Sequence, residues 1–268
     1  MNKWLKLVQK EFKTTQVLFY FGLVLIGAVL VFAYFLARGN PGTDTPTLML
    51  IFLTGGLFMH VFYAPAYLFI NMQQELKTLH LWLHTPRPGW QLLAAKITAA
   101  LTALTINLFI NGLLFLMFTA YLLDADMIPS AAEVIQLITL SFLVILGVST
   151  LIAMWVLFYY SVYFALRRTI GRLGWIAVIL VVMAISWVYV RYIDSAMYAA
   201  LTSWGEIELS FETGLFQQTQ YFIESGNAEV TVGSGIGVIT LGLFVYHAVE
   251  FLLLFLFTSW LIDKKAEV

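Results

Sequence analysis

Long runs of apolar residues, separated by short polar segments, dominate the pattern of this chain. A transmembrane helix needs about 20 mostly apolar residues, because the hydrocarbon core of a bilayer is about 30 Å thick and a helix rises about 1.5 Å per residue. The six runs that meet this length are Val17–Ala37, Thr47–Ile70, Leu92–Leu123, Val134–Leu166, Leu173–Ile193 and Gly237–Ile262. The pattern therefore predicts an all-α integral membrane protein with six transmembrane helices in a single domain spanning residues 1–268.

Lysine and arginine are distributed unequally between the two sides that six spans define. Twelve of the 14 basic residues fall on the side that carries both ends of the chain. Only Arg38 and Arg191 fall on the other side, which holds most of the acidic residues. Because cytoplasmic loops carry the excess of basic residues, we expect both termini in the cytoplasm. The expected location is a cell membrane, crossed several times, and specifically a bacterial plasma membrane.

Composition agrees with lipid as the main surroundings of the chain. Hydrophobic residues make up 61% and charged residues 11% of the sequence, whereas a soluble domain carries about 25% charge. The net charge of −1 predicts no nucleic-acid partner. The absence of cysteine excludes disulfides, thiolate catalysis and cysteine-based metal sites.

The first 16 residues have the pattern of an amphipathic helix at the membrane interface. Met1, Trp4, Leu5, Val8 and Phe12 fall along one stripe, and the four lysines of this segment lie mostly off it. Such a helix lies on the bilayer with its lysines toward anionic lipid headgroups. Amphipathicity leaves two roles open: an anchor that fixes topology, or an element that transmits motion from a cytoplasmic partner.

The last external loop, Asp194–Ile236, is far longer than a normal connection. It contains two apolar stretches, Met197–Trp204 and Leu215–Ile223, with an alternating acidic stretch between them. We expect short helices on or in the outer leaflet. Arg191 and Asp194 are three residues apart and are expected to form an ion pair at the outer rim.

The segment Asn71–Lys96 between the second and third spans is the most informative part of the sequence. Its stretch Glu75–His84 predicts a short cytoplasmic helix with three leucines along one side. Pro86 and Pro88 end that helix, because proline lacks the backbone donor and clashes with the preceding turn. A helix and turn at the membrane surface offer a rigid contact for a cytoplasmic partner.

This segment resembles the permeases of ABC-2-type transporters. In that family a glutamate follows the second span, a leucine-rich helix ends in Thr-Pro, and a Leu-Leu-x-x-Lys motif opens the third span. The positions that match are Glu75, Leu79, Leu83, Thr85, Pro86, Leu92, Leu93 and Lys96. The six-span topology, the amphipathic N-terminal helix and the long last external loop also agree, so the resemblance covers nearly the whole chain.

The resemblance implies a permease subunit that exports a lipid, a drug or an antimicrobial peptide. It implies as partners a second permease copy or a related permease, together with ABC ATP-binding subunits. The residues implied to contact the ATPase are Glu75, Leu79, Leu83, Thr85 and Pro86. The chain lacks the G-x-x-x-x-G-K-[ST] phosphate loop. We therefore expect ATP and Mg²⁺ on the partner, and no enzymatic activity, cofactor or metal on this chain.

Histidine, asparagine and glutamate side chains lie deep within three of the predicted spans. They are His60, Asn107, Asn111, His247 and Glu250. Ionisable groups at this depth are costly, so each must face protein or water and find a partner. The spacing of three residues between His247 and Glu250 predicts a hydrogen bond on one helix face, and Asn107 and Asn111 form a similar pair. The interpretation we favour is packing between helices, with a polar seam along a substrate route as the alternative.

Two other functions remain open at this point. The first is an intramembrane metal-dependent enzyme, because His60, His247 and Glu250 are residue types that bind zinc. Against it, no helix carries an H-E-x-x-H motif. The second is an immunity or accessory membrane protein that binds a ligand without transporting it.

Overall fold

The computed structural model describes residues 3–39, 45–77, 88–122, 131–210 and 236–266. Its helices are α1 (Lys3–Thr14), α2 (Gln16–Gly39), α3 (Thr45–Met59), α4 (Tyr63–Lys77), α5 (Gly89–Leu122), α6 (Ala131–Ile170), α7 (Gly174–Ile193), α8 (Ala196–Thr202) and α9 (Leu241–Ala266). Single 3₁₀ turns join α3 to α4 (His60–Phe62) and α6 to α7 (Gly171–Leu173). Strands β1 (Glu206–Ser210) and β2 (Ile236–Thr240) lie between α8 and α9.

Six helical segments are long and apolar enough to cross a membrane. They are Gln16–Gly39, Thr45–Glu75, Gly89–Tyr121, Ile138–Arg167, Gly174–Ile193 and Leu241–Lys264. The prediction of a multi-pass helical membrane protein is therefore confirmed. The second crossing consists of α3, the 3₁₀ turn and α4, because Pro65 has no amide hydrogen for the helical bond to residue 61.

Helices α4, α5 and α6 form the packed centre of the molecule. Their buried side chains include Tyr67 on α4, Leu104 on α5 and Leu157 on α6, each 0% exposed. Along α5, Ala95, Ala99 and the other buried alanines leave room for neighbouring backbones to approach closely. By contrast, the span of α7 is only 6% buried, so its apolar side chains face outward, as expected for contact with lipid.

The two strands form a small β-ribbon that was not predicted. Strands β1 and β2 pair antiparallel, with Glu206 opposite Thr240 and Ser210 opposite Ile236. The prediction that the sixth span begins at Gly237 is therefore wrong: β-branched residues at the start of this run favour pairing as a strand, and the helix begins at Leu241.

The ribbon and α8 are fixed against the start of α9. Ser195 caps α8 by accepting a hydrogen bond from the Tyr198 amide (3.2 Å), so the predicted helix within Met197–Trp204 is confirmed as α8. The Leu241 amide donates to the carbonyl of Gly205 (2.9 Å), which adopts φ +70°. A Cβ on Gly242 would lie 2.8 Å from the Thr202 carbonyl oxygen, so α8 and α9 approach closely here. The predicted helix within 215–223 lies outside the described residues.

Candidate functional site

A buried ionic cluster, which we call the Lys96 cluster, joins three helices at the cytoplasmic end of the predicted topology. The Lys96 ammonium donates to Glu11 Oε2 (2.7 Å), Asn71 Oδ1 (2.6 Å) and Glu75 Oε1 (2.5 Å). Asn71 also donates from Nδ2 to Glu11 Oε2 (3.3 Å). None of the four side chains has appreciable solvent contact, since their residues are 0–8% exposed. The cluster therefore fastens α1 and α4 to the beginning of α5.

The balance of charge in this cluster is unusual. One buried cation, Lys96, faces two buried carboxylates, Glu11 and Glu75. Lys10 lies 3.8 Å from Glu11 Oε1, but its side chain is 63% exposed, so it contributes weakly. Loss of the buried cation would leave two acids without compensation in a low-dielectric setting, so the cluster depends on Lys96.

The position of α1 differs from the predicted stripe. Leu5 is 56% exposed, whereas Leu7 is 7% and Glu11 only 2% exposed. Leu7 packs on Leu92 and Ala95 of α5. The face of α1 that packs on the other helices is therefore centred closer to Leu7 and Glu11 than the predicted stripe is. The cause is that the ion pair of Glu11 with Lys96 stabilises this orientation in addition to the burial of apolar side chains.

The predicted coupling residues are described only in part. Glu75 lies near the end of α4, continuous with the second span, and its carboxylate is bonded inside the chain. Leu79, Leu83, Thr85 and Pro86 lie outside the described residues. On the far side of that segment, the Gly89 amide at the start of α5 donates to Asp263 Oδ1 (2.6 Å), near the end of α9. Both flanks of residues 78–87 are thus tied to other helices.

A second polar group lies in the middle of the bilayer-length helices. Glu250 Oε2 is 2.8 Å from His247 Nδ1, so the predicted bond between these residues is confirmed. Glu250 Oε1 accepts a hydrogen bond from Trp155 Nε1 of α6 (2.9 Å). Both carboxylate oxygens are therefore held, and the group bridges α6 and α9 in the manner expected of packing between helices.

The same carboxylate lines two clefts. The first cleft, of 690 Å³, is bounded by α6, α7 and α9, and His247 and Tyr189 lie on its wall. The second cleft, of 640 Å³, is bounded in part by Leu201 of α8 and by Trp204, which follows α8 in the chain. Trp155 and Glu250 line both. The Glu250 group is thus a packing contact that also presents polar atoms to a mostly apolar cleft.

His60 does not join His247 and Glu250. Its Nδ1 donates to the Gly56 carbonyl (2.6 Å), and its ring stacks on Tyr63 with centroids 6.2 Å apart. It lines a different cleft, of 600 Å³, between α2 and α3. Across the described ranges, no three histidine or acidic side chains form a group that could hold a metal ion. The geometry therefore does not favour a metal site on His60, His247 and Glu250.

The two asparagines of α5 approach different helices, and no hydrogen bond joins them, so the predicted pair is wrong. Asn107 Nδ2 donates to the Tyr63 hydroxyl (3.2 Å) and to the Ala103 carbonyl (3.0 Å). A Cβ on Gly22 of α2 would lie 2.6 Å from Asn107 Oδ1, and one on Gly56 of α3 would lie 2.7 Å from Asn111 Nδ2. These contacts are sites of close helix packing, in agreement with the favoured interpretation.

Two groups of functional interest were missed or undervalued by the sequence reasoning. Glu11 was not singled out, although its spacing of seven from Trp4 and three from Val8 places it on the buried face of α1. Trp155 was not singled out as a functional residue either, because nothing in its local sequence indicates the bond to Glu250. The expected ion pair of Arg191 with Asp194 is wrong: both are described and exposed, and no contact joins them.

Compared with protein-family models, with curated proteins and with solved structures, the chain matches none.

Proposed function

We propose that this chain is the membrane-spanning permease subunit of an ATP-driven exporter of the ABC-2 type. ATP would be hydrolysed by a separate partner subunit, and the permease would act as a dimer with a second copy or a related permease. The six helices long enough to cross a membrane support a transport role. The match of Glu75 to Lys96 with the family pattern supports the type of transporter.

One observation carries this proposal: the segment that resembles a coupling helix is flanked by residues bonded to other parts of the bundle. On one side, Glu75 is bonded to Lys96, which also holds Glu11 of α1. On the other side, Gly89 is bonded to Asp263 of α9. A partner that pushed on residues 78–87 would therefore move α1, α4, α5 and α9 together.

The bonded flanks also relate the cytoplasmic surface to the Glu250 group. Asp263 and Glu250 lie on the same helix, α9, 13 residues apart, which is about 20 Å at the helical rise of 1.5 Å per residue. A rigid displacement of α9 would change the shape of both clefts that Glu250 lines. In the proposal, this displacement of α9 couples ATP hydrolysis on the partner to the transport route.

The test is photo-crosslinking in the native membrane. A photoreactive amino acid at position 79 is expected to form an adduct with a protein that contains the phosphate-binding loop, identified by mass spectrometry. The same group at Leu201, on the external helix α8, is the matched control and should not form that adduct. Adducts at position 79 that contain no ATP-binding protein, in cells where the chain is inserted normally, would contradict the proposal.

A second measurement addresses coupling directly. Once the partner is identified, Leu79→Pro should abolish stimulation of its ATPase activity by the permease, because proline breaks a helical contact surface. Membrane insertion and co-purification of the permease dimer should remain. Unchanged stimulation in this variant would show that residues 78–87 are only a connector.

A further inference from the structure

The 690 Å³ cleft is large enough for a small molecule and has a distinct chemistry. Ligand clefts usually measure about 300–1,000 Å³ and are mostly apolar with a few polar groups. Here aliphatic side chains of three helices make up most of the wall, and four aromatic rings complete it: Trp155, Tyr159, Tyr189 and Phe244. Trp155 and Tyr159 stack with their centroids 5.4 Å apart.

The described wall of this cleft has one acidic side chain and no lysine or arginine to pair with it. Among the described residues that line this cleft or the neighbouring one, Glu250 is the acidic group, and its partner His247 carries a charge only when protonated. Glu250 Oε1 accepts a hydrogen bond from Trp155 Nε1, and Glu250 Oε2 lies 2.8 Å from His247 Nδ1. Glu250 is nine residues from the start of α9, about 14 Å along the helix.

We infer that this cleft binds a single-chain amphiphile with an ammonium head, as the substrate class of the exporter proposed above. The head lies beside Glu250 and the surrounding aromatic rings, and the apolar chain lies along the aliphatic wall. The inference rests on the proposed function for its role in transport, but the binding itself does not.

Three features of the cleft select this chemistry. A carboxylate attracts a cation strongly where water is scarce. The faces of Trp and Tyr attract quaternary ammonium groups through their negative electrostatic potential. An anionic phosphate headgroup, by contrast, would face Glu250 without any basic side chain to compensate it, and an uncharged hydrocarbon would leave the polar pair unused.

The test uses the purified chain in maltoside micelles, without ATP or a partner subunit. The probe is radiolabelled dodecyltrimethylammonium, and empty micelles give the blank for partitioning into detergent. We expect saturable binding at one site per chain. Dodecyldimethylamine oxide has the same chain and a similar head but no net charge, and it should compete about tenfold more weakly or worse.

Two variants and one matched control place the probe in the cleft. Glu250→Gln should weaken binding about tenfold by removing the charge. Gly147→Leu should weaken it at least as much by filling the cleft, since Gly147 lines the wall and a Cβ there meets no atom within 4 Å. Gly27→Leu, at an open position on α2 that lines none of the clefts described above, should bind like the parent chain.

The outcomes separate this inference from the proposed function. Absence of saturable binding, equal competition by the amine oxide, or parental affinity in Gly147→Leu would each overturn the inference. If Glu250→Gln lowers the melting temperature, Gly147→Leu decides, because it leaves the polar contacts intact. A chain that binds the probe but yields no ATPase adduct at position 79 would retain the binding site and lose the transporter assignment.

Discussion

Replacing Lys96 by methionine removes the cation that three buried oxygen atoms share. The substitution keeps an unbranched chain of similar length, so the packing of α5 against α1 and α4 is largely preserved. Two buried carboxylates, Glu11 and Glu75, then lose their bonds to the ammonium group. The substitution should lower the free energy of unfolding if charge compensation by Lys96 holds α1 in place.

The expected loss follows from burial. Lys96 is 1% and Glu11 2% exposed, so solvent screening is small. Removing one partner of a buried ion pair costs about 3–5 kcal/mol, because the other charge is left buried and unpaired. Each kcal/mol lowers the melting temperature of a chain of this size by a few degrees, so the expected decrease is on the order of 10 °C.

The assay is thermal unfolding of the purified chain in a mild detergent, followed by loss of the monodisperse species. The matched control is Lys10→Met, one residue from Glu11 but with a side chain that is 63% exposed. A surface pair contributes about 0–1 kcal/mol, so this variant should melt within a few degrees of the parent.

A triple variant tests the cause. Lys96→Met combined with Glu11→Gln and Glu75→Gln contains no uncompensated charge and should recover most of the lost stability, since buried ion pairs are often replaceable by neutral groups. The reasoning is refuted if Lys96→Met melts with the parent chain, or if the triple variant is no more stable than the single one.

Three further predictions concern topology and helix packing. Single cysteines can be placed at position 208 and at position 265, because the chain has no cysteine of its own. In intact cells a membrane-impermeant reagent should label only position 208, since the positive-inside distribution predicts that position 265 is cytoplasmic. Labelling at position 265 alone would show that the topology is the reverse of the predicted one. Gly22→Leu should destabilise the chain by about 1–3 kcal/mol and lower its melting temperature, because a Cβ at Gly22 would lie 2.6 Å from Asn107 Oδ1. Gly27→Leu is the control and should melt like the parent chain, because a Cβ there meets no atom within 4 Å. Equal melting temperatures for the two variants would show that α2 is not closely packed at Gly22. Gly242→Val should separate α8 from α9, because a Cβ at Gly242 would lie 2.8 Å from the backbone of α8. The variant should therefore show increased proteolysis of the predicted external loop in right-side-out vesicles. An unchanged digestion pattern would exclude the close contact.

Some packing features were within reach of the sequence, in particular the hydrogen bond between His247 and Glu250. Helical periodicity places residues three apart on one face, and the structure has this pair 2.8 Å apart. The same rule failed for Arg191 and Asp194, because both are exposed at a helix end, where a surface pair gains little and side-chain entropy opposes it. Periodicity gives proximity, and burial decides whether a contact forms.

The start of the sixth helix shows a different limit. Hydropathy alone extended the span to Gly237, since the sum over a window does not distinguish an apolar strand from an apolar helix. Pairing with Glu206–Ser210 converts residues 236–240 to a strand. That partner strand is separated from them by a long stretch of chain, so local pattern carries no signal of the pairing.

Hydropathy along the chain is sufficient to predict a membrane protein with six helices able to cross a bilayer, because the free energy of transfer to lipid is nearly a sum over neighbouring residues. Which polar groups share a site depends on the packing of the helices. Glu11 meets Lys96 across 85 positions, Gly89 meets Asp263 across 174, and Trp155 meets Glu250 across 95. Such contacts arise from the packing of whole helices, and a buried charge takes whichever partner that packing brings within reach.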